Sequence, residues 1–154
     1  MENNIHVSLV IAKTKVAPIK RLTIPRLELC SGVVLSKLLD HVANTLAIPL
    51  TNIYAWTDSL VVLGWLRGDP RRFKPFVGNQ IAEISETIPS GCWRHVRGAD
   101  NPADCASRGI FPSQLAKYEP WWYGPQWLRH ATGKWDNDGK YPEHPIPSEE
   151  RDLP

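Results

Sequence analysis

Cysteine is scarce and badly placed for cross-linking: Cys30, Cys92 and Cys105 are three in number and widely spaced. An odd, scattered set argues against a disulfide scaffold and makes a reducing, intracellular setting the default. Long apolar runs are also missing, and the longest fall far short of the roughly 20 residues needed to cross a bilayer, so no membrane partner is expected. The chain does not open on a charged stretch followed by an apolar stretch and a small-residue cleavage site, as a secretory signal would. Charge of one sign is nearly absent, the formal net charge being +2. That neither demands nor excludes nucleic acid, because a local basic stripe can sit on an almost neutral chain. No internal repeat is visible. What remains is ordinary globular material: 154 residues, 42% of them hydrophobic, enough for one domain with a core. Tryptophan is plentiful, with seven residues, of which Trp121, Trp122 and Trp127 crowd together.

Residues 6–17 are rich in Val and Ile and end at Pro18, which reads as a strand. Residues 23–46 read as the best helix, with Leu35, Leu38, Leu39, Val42 and Leu46 on one stripe, Thr23 as cap and Pro25 in the first turn. Residues 53–57 are short and apolar on both faces, as in a central strand. A short helix over 59–66, a helix over 73–88, a strand over 93–96 and a last helix over 101–107 follow. Beyond Ile110 Pro and Trp alternate, and residues 136–154 are polar and Pro-rich. The order of elements predicts an α/β layered domain over residues 6–112. A Trp/Pro-rich extension over 113–135 and a disordered tail over 136–154 follow it.

Three carboxylates stand out, each with an ordinary explanation beside the functional one. Glu28 lies two turns before Leu35 on the predicted core stripe, where a carboxylate is costly unless paired or metal-bound. A glutamate near a helix start is also favoured by the helix dipole. Asp58 ends the central strand, the place where open α/β sheets bind ligands, yet Thr57, Asp58 and Ser59 are all good helix caps. Asp104 follows Asn101-Pro102-Ala103, which by itself is a helix N-terminus signature.

In order along the chain, Lys13-Thr14-Lys15-Val16-Ala17-Pro18, Ile24-Pro25-Arg26-Leu27-Glu28-Leu29, Trp56-Thr57-Asp58-Ser59, Trp93-Arg94-His95-Val96 and the run from Asn101-Pro102-Ala103-Asp104 to Arg108-Gly109 form a set. Together with Trp121-Trp122, Gly124-Pro125 and Trp127-Leu128, they resemble the ribonuclease H region of Bel/Pao-type retrotransposon polyproteins. Five ordered motifs are far more specific than any one of them.

The resemblance implies a five-stranded mixed sheet flanked by helices, and hydrolysis of the RNA strand of an RNA–DNA hybrid during reverse transcription. It implies Mg²⁺ (or Mn²⁺) held in a two-metal arrangement with the ions about 4 Å apart, with Glu28, Asp58 and Asp104 as carboxylate ligands. The partners implied are the hybrid and the remainder of the polyprotein. The family's first aspartate lies on a first strand upstream of residues 6–17, which would be the third. The expectation is therefore a partial ribonuclease-H-like fold lacking its first two strands and inactive as an isolated chain. Cellular ribonucleases H carry a mobile histidine before the last-helix aspartate; Gly98-Ala99-Asp100 stands there, and His95 reads as a strand histidine. The alternative is a non-catalytic nucleic-acid-binding or interaction module derived from such an element.

Other constellations carry less. Cys92, His95 and Cys105 lack a fourth ligand for structural zinc. Asp58-Ser59 is followed by Leu60 where an aspartic peptidase loop needs glycine. Arg67, Arg71, Arg72 and Lys74 form a basic cluster; Arg71, Arg72 and Lys74 are candidate phosphate contacts, and a solvated loop is the competing explanation. The tryptophans at 121–127 could stack on bases, but packing onto the domain is the expected role.

Overall fold

The structure, a computed structural model, describes residues 5–135 and 149–150. It is helix-dominated. α1 spans Ile24–Leu46, α2 Leu60–Arg67, α3 Pro75–Thr87, α4 Asp104–Arg108, α5 Pro112–Leu115 and α6 Glu119–Tyr123. Two strands, β1 (Ala55–Thr57) and β2 (Trp93–His95), pair in parallel with Ala55 opposite Trp93, Trp56 opposite Arg94 and Thr57 opposite His95. This is compatible with a partial α/β ribonuclease-H-like fold. Among the described residues no helix is long and apolar enough to cross a membrane.

The core gathers where the helices cover one face of this ribbon. Leu29 and Val33 from α1, Val62, Leu63, Trp65 and Leu66 from α2, and Val77, Ile81 and Ile84 from α3 close over Ala55 and Trp93. Gly32 makes the approach possible. A Cβ there would lie 3.0 Å from Ile84 Cδ1 and 3.8 Å from Trp93 Cη2. α1 and α3 run side by side in the same direction, since Arg26 meets Phe76 at one end and Lys37 pairs with Glu83 further along.

The buried face of α1 differs from the predicted stripe. It is Leu29, Gly32, Val33, Ser36 and Ala43, whereas Leu35, Leu38, Leu39 and Val42 are half-buried and Leu46 is 53% exposed. The small residues Gly32, Ser36 and Ala43 let a neighbour close in, so the helix turns them inward and leaves the leucines on its flank. The buried Ser36 hydroxyl is satisfied by donating to the Val33 carbonyl at 2.9 Å.

The predicted strand at 6–17 is a second correction. Those residues form no strand, and the Leu9 N–H donates instead to the Trp122 carbonyl at 2.7 Å. A strand needs a ladder partner, and among the described residues no strand pairs with this segment, so a β-rich composition does not become a strand. The sheet is accordingly two-stranded and parallel rather than mixed.

The second face of the ribbon is covered by aromatic rings. Trp56 lies 5.6 Å from Trp127 and 5.3 Å from Trp135, and Tyr54 lies 5.0 Å from Trp135 (ring centroids), while the Arg94 guanidinium stacks over Tyr54. Trp127 of the Trp121–Trp127 cluster thus lies against Trp56, with Trp135 beside it, whereas Trp122 stays 40% exposed. Of the predicted tail, Glu149 and Glu150 are placed against the domain, and the rest lies outside the described residues.

Two backbone positions make this packing testable. Ala47 ends α1 at φ 52°, a conformation that costs an L-residue about 1–2 kcal/mol. Gly78 sits where a Cβ would come within 2.6 Å of the Pro70 carbonyl oxygen. Urea denaturation should show Ala47→Gly stabilising by up to about 1 kcal/mol and Gly78→Ala destabilising by about 1–3 kcal/mol through forced backbone displacement. Equal midpoints for both variants and the parent would contradict this packing.

Candidate functional site

The β1–β2 register decides where Asp58 goes. Val96 N–H donates to the Thr57 carbonyl at 3.0 Å, which continues the pairing past β1, and Asp58 leaves the strand at its carboxyl end, exposed. Capping does not claim it. Ser59 caps α2, its hydroxyl accepting from Val62 N–H at 3.3 Å, and Ser59 N–H bonds to Thr57 Oγ1 at 3.1 Å. The Asp58 carboxylate lies over the turn that follows β2, its Oδ2 being 3.9 Å from where a Cβ on Gly98 would stand. His95 Nε2 is 3.3 Å from the Asp58 carbonyl oxygen. His95 is a half-buried strand histidine, as expected.

That turn leads into Asp104. Asn101 Oδ1 accepts from Ala103 N–H at 3.1 Å within the turn, and α4 begins later than the sequence suggests, with Asp104 as its first residue and Ala103, not Asn101, before it. The Asp104 carboxylate is tied to Arg108 at 2.8 Å, one turn on. It also helps to raise the pKa of the neighbouring Cys105 thiol, which burial raises more strongly.

Glu28 sits one turn into α1, with no acidic residue in the first turn, so the helix dipole is not what places it. It is half-buried on the flank that also carries Leu35. The periodicity of the leucines predicts a Glu28 facing the core; with the buried face at Leu29 and Gly32, it stands beside that face instead. Among the described residues, no three His, Cys, Asp or Glu side chains gather into a group able to hold a metal ion. The fold sets Asp58 against the turn entering Asp104, and it does not bring Glu28, Asp58 and Asp104 together as a metal site. The Cys92, His95 and Cys105 set forms none either.

The basic cluster is not a bare loop. Arg71 is clamped by Asp69 at 2.7 Å, and that fork, with the Arg71 backbone N–H, pulls the Asp69 carboxyl down to about 2. Arg72 pairs with Glu150 at 2.8 Å. Lys74 N–H donates to the Glu149 carbonyl at 2.7 Å. The Glu149 carboxylate takes a two-pronged bond from Arg26, with Nε at 2.9 Å and Nη2 at 2.8 Å. Sequence reasoning missed Arg26, Glu149 and Glu150. The available signal was charge: an acidic pair in the tail matches the basic run at 71–74.

Compared with known proteins, residues 1–59 match the family described as the Pao retrotransposon-like RNaseH-like domain. Over those residues the chain is similar to a Bel/Pao retrotransposon ribonuclease H region. The matched segment contains Glu28 and Asp58 and stops short of Asp104, a narrower span than the motif resemblance covers. No curated protein and no solved structure matches the chain.

The Asp104–Cys105 neighbourhood gives a direct check on the α4 end of this site. A raised thiol pKa keeps Cys105 protonated at neutral pH and slow to alkylate. Asp104→Asn removes the smaller of the two causes, so the pH–rate profile for iodoacetamide labelling of Cys105 should shift to lower pH. The rate gain at pH 8 should stay below about tenfold, because burial persists. A superimposable profile would show that Asp104 does not face the thiol.

Proposed function

We propose that this Bel/Pao-type region is the ribonuclease-H-like part of a retrotransposon polyprotein, that it engages RNA–DNA hybrids, and that the isolated chain does not hydrolyse them. One observation carries the reading. The parallel β1–β2 pair delivers Asp58, inside the matched segment, to the carboxyl end of a strand with its carboxylate exempt from capping. That is where α/β sheets place ligands.

Ribonuclease-H-like domains generally use divalent metals, and two-metal hydrolysis requires carboxylates that converge on both ions. The described residues do not fit that requirement as they stand, since Glu28, Asp58 and Asp104 form no metal-holding group and Asp104 is committed to Arg108. Hydrolysis is therefore assigned to the polyprotein rather than to the isolated chain. The chain's own contribution is placement: α1, β1 and α4 carry the three carboxylates, and the basic residues bordering α1 and α3 attract phosphate. The uncollected carboxylates also favour a second reading, a non-catalytic nucleic-acid-binding module derived from the element.

An end-labelled RNA–DNA hybrid in Mg²⁺ separates these readings. The 154-residue chain should bind the hybrid without cutting it above background. The same region within a polyprotein should cut it, and Asp58→Asn there should reduce the rate by at least about 100-fold, given that even outer-shell partners of metal sites are worth 10–100-fold. Efficient cutting by the chain alone, abolished by Asp58→Asn, would overturn the claim of inactivity. Unchanged cutting by the Asp58→Asn polyprotein would remove Asp58 from catalysis.

A further inference from the structure

Glu149 and Glu150 hold the domain in an unusual way. They bring no apolar side chain, and their attachment consists of charge and backbone. Glu149 accepts the Arg26 fork, its carbonyl accepts the Lys74 N–H, Glu150 bridges Phe73 in antiparallel fashion, and its carboxylate meets Arg72. The Arg26 pair is the firmer contact, with side chains 27% and 13% exposed. The Arg72 pair is open to solvent, at 62% and 48%, and exposed pairs of that kind contribute little.

Beneath these two glutamates the fold builds an anion site from separate elements. Arg26 comes from the first turn of α1, and Arg72 and Lys74 come from the turn between α2 and α3. The Arg26 guanidinium lies 5.0 Å above the Phe76 ring, which fixes its plane. A planar fork presented edge-on to a carboxylate is equally suited to a phosphate. In keeping with this, Arg26 holds the Glu149 carboxyl below the usual carboxylate range, helped by the charges of Arg26 and Lys74.

We propose that Arg26, Arg72 and Lys74 form a binding site for the phosphodiester backbone of nucleic acid, and that Glu149–Glu150 occupy this site in cis as a carboxylate mimic that nucleic acid displaces. The proposal deepens the reading above, on which it rests for the identity of the partner. The tail is tethered to the same chain, so it competes at high effective concentration although each contact is weak. The apparent affinity for nucleic acid falls by the fraction of chains in which the site is open. Polyanions and salt act in the same sense, because an attachment made of charge is one that ions screen.

The test measures binding of a fluorescein-labelled RNA–DNA hybrid by anisotropy, using the full chain at constant salt without Mg²⁺. Glu149→Gln/Glu150→Gln should bind about tenfold tighter than the parent, if the closed form outnumbers the open by about that factor. Asp40→Asn/Glu86→Gln removes the same charge from exposed positions further along α1 and α3, and should change affinity by less than about threefold. Adding Arg26→Gln/Arg72→Gln to the tail variant should erase the gain. Hydrogen exchange at the Lys74 amide should be slow in the free parent and accelerate when the hybrid saturates it. A parent that binds hybrid as tightly as its tail variant, or a Lys74 amide still protected in the complex, would overturn this inference and leave the hybrid reading intact. Failure of every variant to bind hybrid would overturn both.

Discussion

The seating of Trp93 and Ile84 against Gly32 is the contact on which the other placements depend. Three-residue strands bury too little to stand alone, and a two-stranded ribbon is marginal in water. The ribbon persists because Trp93 is buried under α1 and α3, and because Gly32 allows both to come within van der Waals distance of the α1 backbone. That contact fixes β2, and the Ala55–Trp93 register then fixes β1. Asp58 inherits its position from β1, and the turn toward Asp104 inherits its own from β2. Glu28, one turn before Gly32 on α1, is set by the same helix rotation that turns Gly32 inward. Trp93 brings a cost with it: its indole N–H, like that of Trp65, is buried without an acceptor among the described residues, a loss of about 1–3 kcal/mol for each.

Helical periodicity made α1 legible nearly to the residue, and the segments read at 53–57, 73–88 and 93–96 contain β1, α3 and β2. The rotation of α1 was not legible. Five large apolar residues on a stripe are the stronger pattern, yet contact selects the face on which a neighbour can approach, and Gly32, Ser36 and Ala43 offered that. Residues 6–17 had the right composition for a strand and formed none, because strand formation depends on a pairing partner that composition does not supply. Cap choice at Thr57-Asp58-Ser59 was open in the sequence, since all three residue types cap well. It was settled by geometry, with Ser59 reaching the Val62 N–H. The resemblance named the three carboxylates, but convergence is a property of three-dimensional placement, and the described residues do not achieve it.

The two attachments at the far end of the chain differ in kind. Trp127 and Trp135 lie on the outer face of the ribbon with Tyr54, Trp56 and Arg94, a contact of rings and a stacked guanidinium that salt leaves largely intact. Glu149 and Glu150 attach through ion pairs and backbone hydrogen bonds, which salt and competing anions weaken. Trp127 and Trp135 therefore behave as part of the domain, and Glu149 and Glu150 as a charged contact over the basic residues.

Whether Glu28, Asp58 and Asp104 act as one site decides what this chain does alone. Paramagnetic broadening by Mn²⁺ in the amide spectrum of the 154-residue protein measures that most directly. The account predicts separate, weak effects, with the amides around each carboxylate broadening at its own high Mn²⁺ concentration. Simultaneous broadening around Glu28, Asp58 and Asp104 at one low Mn²⁺ concentration would show that they already form a common metal site, and would contradict it.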